Sequence, residues 1–230
     1  MTEIDTLALA TSELPAASKA LGGGDEAVTR LAVDFRALIS NVTNASARAA
    51  GEAARLHSDD VSNPAGVARQ LAELPGNLVA ATAEQLDQAE INLDIAEALH
   101  LAAILRHDSR DDANLRFEVE NFCVGMTKEN AVAAMVALVA DPRYATFIAG
   151  PAGKSIGARF GFDASILRKV ALESLAVNGS EDQVRRSQAL AAIPAARRVI
   201  GLAKGGRDAV SEQVRRAPRR SASAVNALMP

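Results

Sequence analysis

Apolar residues recur every three or four positions through most of this chain, which is the period of helices. From Asn77 to His107 the repeat is sharpest. Leu86, Leu93, His100 and His107 fall seven apart, with Ala89, Ala96 and Ala103 between them. This heptad seam predicts a single helix of roughly 45 Å at about 1.5 Å per residue. Asn63-Pro64 starts a short helix ahead of it, and Pro75-Gly76 is expected to stop that helix before Asn77 caps the long one. After Ile91 a second apolar face opens through Ile95, Ala98, Leu99, Ala102 and Leu105. A helix apolar on two sides is expected in the middle of a bundle.

Upstream, residues 1–24 read as a flexible leader. A short helix over Leu7–Leu14 is broken by Pro15 and by Gly22-Gly23-Gly24. Asp25 then caps a long helix to about Leu56, with Val28, Leu31, Phe35, Leu38, Val42, Ala45 and Ala49 on one side. Its seam thins from large residues to alanine, so its later half suits a closely approaching partner helix, either in this chain or in a second copy.

Downstream, a polar turn over Asp108–Asp112 leads into a helix to Val124, ended by Gly125. Thr127 caps the next, Lys128 to Ala140, which is almost wholly apolar and is expected to be the most buried element. Asp141-Pro142 ends it. Six of the seven aromatic residues lie between Phe117 and Phe162, which places the tightest core there. The glycine-rich stretch 144–162 is compatible with short helices or a small hairpin. Asp163 caps a helix to Val177, closed by Asn178-Gly179. Ser180 starts another, which Pro194 interrupts or kinks. Gly205-Gly206 separates a last basic helix, about Arg207 to Arg216. The division expected is a leader (1–24), a helical body (25–178), a basic helical appendage (180–217) and a disordered tail (218–230).

Composition supports the same class. Alanine supplies 49 of the 230 residues and aromatics only 3%, so helices that approach closely must replace a core filled by large rings. The fold class is all-α: long antiparallel helices, bundle-like or coiled-coil-like, with a compact helical core and a basic helical C-terminal appendage. The lone Cys123 excludes an internal disulfide, and Phe122 and Val124 beside it point to a buried, inert thiol. The acidic start, Met1-Thr-Glu-Ile-Asp, does not read as a secretory signal. The longest apolar run, Ala131–Ala140, is short for a bilayer. The expected location is the cytoplasm, or a particle assembled inside the cell, with no membrane partner.

Charge is split along the chain. Residues 185–230 hold ten Arg and Lys against Asp208 and Glu212, a balance of +8, and the other 184 residues carry −11, giving −3 overall. Arg185, Arg186, Arg197, Arg198, Arg215, Arg216, Arg219 and Arg220 are the candidate residues for an anion or a partner. Arginine pairs on helices suit phosphate backbones by charge and geometry. With no aromatic in this region, base stacking is not expected, and nucleic-acid contact would be non-specific. Docking on the acidic body of this chain or a neighbouring copy ranks above it.

Glu90, Glu97 and His100 form the candidate metal face. A Glu-x-x-His pair on a bundle helix is half of a ferritin-like di-metal arrangement. Neither His57 nor His107 has a glutamate three residues before it, so the second half is missing and no metal or other cofactor is expected. Gly150-Pro-Ala-Gly-Lys154-Ser155 matches the end of a phosphate-binding loop, but Ile148 stands where the first glycine belongs. It reads as a glycine turn, with an anion-binding nest of backbone amides as the alternative. No serine or cysteine has a histidine partner by motif. The function expected is therefore non-enzymatic: a helical structural or assembly protein, of scaffold or virion type, that self-associates as a homo-oligomer or docks on a larger complex. A nucleic-acid-associated protein is the alternative, and a ferritin-like metal protein the second alternative.

Overall fold

The structure is a computed structural model that describes residues 3–21, 26–31, 33–58, 63–106, 111–161 and 163–216. Among these residues there are helices and turns and no strand. The all-α class therefore holds. In order, the α-helices are α1 (Glu3–Ala17), α2 (Glu26–Thr29), α3 (Phe35–Ser58), α4 (Pro64–Ile104), α5 (Asp112–Cys123), α6 (Lys128–Leu138), α7 (Pro142–Ala149), α8 (Pro151–Phe160), α9 (Ala164–Asn178) and α10 (Glu181–Arg216). A 3-10 turn over Ser18–Leu21 follows α1.

The described residues group into two compact units. The first draws on the described residues within 3–18, 33–93 and 194–216, the second on those within 19–31 and 94–193. Helices α4 and α10 contribute to both.

In the first unit, α1 packs on α3, with Ala10 and Ala17 fully buried. Thus 3–21, within the stretch read as a leader, is helical, and α1 runs through Pro15. The helix expected from Asp25 to Leu56 is two helices. Asp34 Oδ1 accepts from the Ala37 amide at 2.9 Å. That side-chain bond caps α3 and competes with a continuous helix across it. The alanine end of α3 finds its partner inside the chain. Ala49 and Ala53 share a buried cluster with Leu78 of α4 and with Val210 and Val214 of α10, and Leu71 and Leu74 pack against it.

Two helices are longer than their breakers suggested. The sequence places a stop at Pro75-Gly76, yet α4 continues from Pro64 to Ile104. It places an interruption or a kink at Pro194 and a break at Gly205-Gly206, and α10 continues from Glu181 to Arg216 without interruption. A proline inside a helix costs about 3 kcal/mol and each glycine about 1 kcal/mol. The offset is burial on either side: Leu74 and Leu78 flank Pro75, Ile193 and Ala196 flank Pro194, and Ala203 and Val210 flank the glycine pair. The heptad seam of α4 is buried as its spacing requires, at Leu86, Ala89, Leu93, Ala96 and His100; His107 lies outside the described residues. The second face is covered only in part: Leu105 packs on the core of the second unit and Leu99 is half-buried. Ile91 is 50% and Ile95 42% exposed, and Ala98 and Ala102 also face solvent. The expectation of a helix enclosed on both sides fails there.

In the second unit, α7 is the most buried element. Ala145, Thr146, Phe147, Ile148 and Ala149 are all buried, and α7 packs on α8 and α9. The sequence favoured α6 for this role, but α6 buries only Ala131 and Met135, and Val136 is 42% exposed. Alanine and valine around α6 let it look apolar all round while it covers the core on one side. The stretch 144–162 resolves into helices: α7 and α8 meet at Gly150, and Phe162 lies outside the described residues. Thr127 and Asp163 cap where the sequence put them, Asp141 is a cap not expected from the sequence, and the cap expected at Asn77 falls inside α4. The Thr127 side chain accepts from Asn130, Asp141 from Arg143 and Asp163 from Ser165. Ser180 and Gln183 bond each other's backbone amides reciprocally, a capping box for α10. Cys123 is buried beside Val119 and Leu115, and burial pushes its thiol pKa up.

Gly153 makes the fold of α8 onto α7 possible. A Cβ there would lie 1.8 Å from the carbonyl oxygen of Ile148. Gly51, within α3, has no such neighbour. In urea unfolding, Gly153→Ala is expected to lose about 1–3 kcal/mol from overpacking. Gly51→Ala is expected to gain about 1 kcal/mol from helix propensity. Equal effects from the two would contradict this packing.

Candidate functional site

The candidate arginines among the described residues lie on α10, and acidic groups meet most of them. Arg185 Nη2 and Arg186 Nε both reach Asp182, each at 2.7 Å. Arg215 and Arg216 both face Glu212, at 3.7 and 2.6 Å. These are contacts at i,i+3 and i,i+4, a spacing already visible in the sequence. Other partners come from distant helices of the first unit. Arg198 reaches Glu13 of α1 at 3.1 Å. Lys204 sits between Asp87 at 3.0 Å and Glu90 at 2.9 Å, both on α4. Glu90, then Asp87, raises the Lys204 pKa against the opposing effect of burial. Arg197 is exposed. Arg219 and Arg220 lie outside the described residues.

Arg186 stands apart because its residue is buried. Arg186 first and Arg185 second hold the Asp182 carboxyl below the usual aspartate range. The basic charge that the sequence offered to an acidic body or to nucleic acid is thus substantially matched along its own helix and, in the first unit, across to α1 and α4.

The metal candidates have other surroundings. Glu90 holds Lys204, Glu97 is half-buried and His100 is fully buried in the α4 seam. Among the described residues no group of three His, Cys, Asp or Glu side chains is placed to hold a metal ion. No described helix is long and apolar enough to cross a membrane.

A surface not anticipated from the sequence lies on α5. Phe117 is 68% and Phe122 48% exposed, and just beyond the helix Val124 is 65% exposed. Phe117 and Phe122 line an open groove of about 510 Å³ with Glu118, Asn121, Leu138 and Tyr144. Its polar edge is ordered. The Glu118 carboxylate accepts from the Tyr144 hydroxyl at 2.6 Å and from Arg143 Nη2 at 2.8 Å. The Arg143 guanidinium also lies 5.2 Å from the centre of the Tyr144 ring. The bond to Glu118 is the main cause of a raised Tyr144 pKa.

Counting aromatics placed Phe117 and Phe122 in the core. The helical period says otherwise. Leu115, Val119 and Cys123 form the buried stripe of α5, and at 100° per residue Phe117 falls almost opposite it. No known protein family, curated protein or solved structure matches this chain.

Asp182→Asn tests the ion pair that Asp182 makes with the buried Arg186. Because the folded pKa of Asp182 is lowered, its contribution is present above the ordinary aspartate pKa and is lost as pH falls through the folded value. After discounting for the exposure of Asp182, the variant is expected to lose about 1 kcal/mol at pH 7 in urea unfolding. The difference from wild type should shrink as pH falls below about 3.9. A difference that stays constant from pH 7 to pH 3 would remove the ion pair as its cause.

Proposed function

We propose that the protein is a non-enzymatic helical structural component that self-associates, with the aromatic face of α5 as the contact between copies. On this reading the long helices α3, α4 and α10 serve the first unit as antiparallel struts of a bundle, and the protein works in the cytoplasm or in a particle assembled there. The observation that carries it is the exposure of Phe117 and Phe122 beside an apolar groove. Large exposed aromatic groups in contiguous patches mark interaction surfaces. Here a protruding ring and a receiving groove share one face, which is the self-complementary layout of a two-fold interface.

Light scattering over a concentration series gives the test. The wild type is expected to move from smaller to larger species as concentration rises. Burying a phenylalanine contributes about 1.5–3 kcal/mol, so Phe117→Asp should weaken association at least tenfold. Phe117 is exposed, so the thermal midpoint of the dilute protein should hold. A wild type that stays monomeric throughout, or an Asp variant that associates equally well, would sink the proposal.

Non-specific nucleic-acid contact through α10 is the second reading. It is supported by Arg198, Arg215 and Arg216 in the first unit, whose side chains remain more than half exposed despite their acidic neighbours. Deleting the helix would remove Val210 and Val214 from the core, so charge reversal is the cleaner probe. Arg215→Glu with Arg216→Glu is expected to lower duplex affinity and flatten its dependence on salt. Unchanged binding would exclude these residues.

A further inference from the structure

A second cavity, of about 580 Å³, lies in the second unit where α7, α8 and α9 meet. Leu105, Ile148 and Pro151 give it an apolar lining, and Lys154, Asp163 and Arg168 supply the charges. Its size falls within the range of small-molecule sites, which combine an apolar lining with a few polar groups. Neither the α5 groove nor the α10 arginines contribute to it.

The charges here differ from those on α10. Among the described residues, neither Lys154 nor Arg168 has a carboxylate within ion-pairing distance, although both line the same cavity. Asp163 is the cavity's acidic group, and it is already engaged. Its carboxylate accepts from the Ser165 amide at 2.8 Å, capping α9, and hydrogen bonding to Ser165 holds its pKa below the usual range. The wall therefore carries two cations against one carboxylate committed to a helix cap. An exposed cation in water needs no partner, but two that share one concave apolar wall favour an anion that also has an apolar part.

The local fold explains how Lys154 comes to this wall. Tyr144–Ile148, which would have to be a strand in a phosphate-binding loop, is part of α7. Gly150 and Pro151 turn the chain directly into α8, and Gly153 sits against the Ile148 carbonyl where no side chain fits. Lys154 is the next residue and Arg168 lies one turn into α9. The glycine-lysine stretch thus resembles a phosphate loop in letters only, yet it brings its lysine to a cavity.

We infer that this cavity binds a small amphipathic anion, with its carboxylate or phosphate head between Lys154 and Arg168 and its apolar body on Leu105, Ile148 and Pro151. Calorimetric titration of the full chain tests this with four probes: octanoate, octyl phosphate, octanol and inorganic phosphate. The first two separate a carboxylate head from a phosphate head, and the last two remove charge or chain in turn. At least one of octanoate and octyl phosphate is expected to bind saturably at one site, at least tenfold more tightly than octanol or inorganic phosphate. Lys154→Gln with Arg168→Gln should lower that affinity at least tenfold while leaving the thermal midpoint unchanged. Lys169→Gln, beside Arg168 but outside the lining, should bind as wild type does. Phe117→Asp should also bind normally, so failure of the self-association proposal would leave this result standing. No saturable binding by either amphiphile, equal binding of octanol or inorganic phosphate, or full affinity in the double variant would each overturn the inference.

Discussion

An alanine-lined helix gains cohesion only where a second helix comes close, because each methyl buries little area and a gap forfeits the contact altogether. Much of this structure depends on that constraint. In the first unit, Ala49 and Ala53 of α3 face Leu78, Val210 and Val214, so larger residues on two helices fill the space that α3 leaves. In the second, Ala145 and Ala149 of α7 are buried, and α8 folds back so tightly that only glycine fits at position 153. With aromatics at 3% of the chain, and with Phe117 and Phe122 turned outward, Phe147 is the one phenylalanine among the largest fully buried side chains of the described residues.

Close packing also decides what the charges do. Helices that approach this near bring their polar flanks within reach, and α10 illustrates it. Lys204 finds two carboxylates on α4, and Arg198 finds one on α1. Exposed pairs of this kind contribute roughly 0–1 kcal/mol each. They orient α10 more than they hold it, and the burial of Val210 and Val214 does the holding. The acidic body and basic end seen in the charge count are, within the first unit, partly the two sides of one internal contact. That leaves exposed apolar surface, more than net charge, as the feature that marks the α5 face.

The candidate surfaces were unevenly legible. The i,i+3 and i,i+4 acids beside Arg185, Arg186, Arg215 and Arg216 stand in the sequence, and so does the buried stripe of α5 that turns Phe117 outward. Glu13, Asp87 and Glu90 as partners of α10 could not be read, because they lie more than a hundred residues from the Arg198 and Lys204 they pair with. The heptad on α4 identified the seam that is buried, but its second apolar face carries the same residue types and is exposed at Ile91 and Ile95. Periodicity reports which residues share a face; it does not report whether another element covers that face. The Gly150–Ser155 stretch shows the converse. It reads as a glycine turn with an incomplete phosphate-loop match, and helix α7 followed directly by α8 carries Lys154 to a cavity.

The sequence by itself determined the helical class, the buried stripes of α3 and of the α4 seam, and the caps at Asn63, Thr127 and Asp163. These depend on bonds and spacings within a few residues, which act wherever the segment sits. Tertiary structure decided that helices pass through Pro75, Pro194 and Gly205-Gly206, because buried neighbours on each side offset a local cost of a few kcal/mol. It also decided that the alanine seam of α3 is met inside the chain and that Phe117 and Phe122 are left in solvent. Those outcomes follow from which faces pack together, and that depends on contacts between residues far apart in the chain.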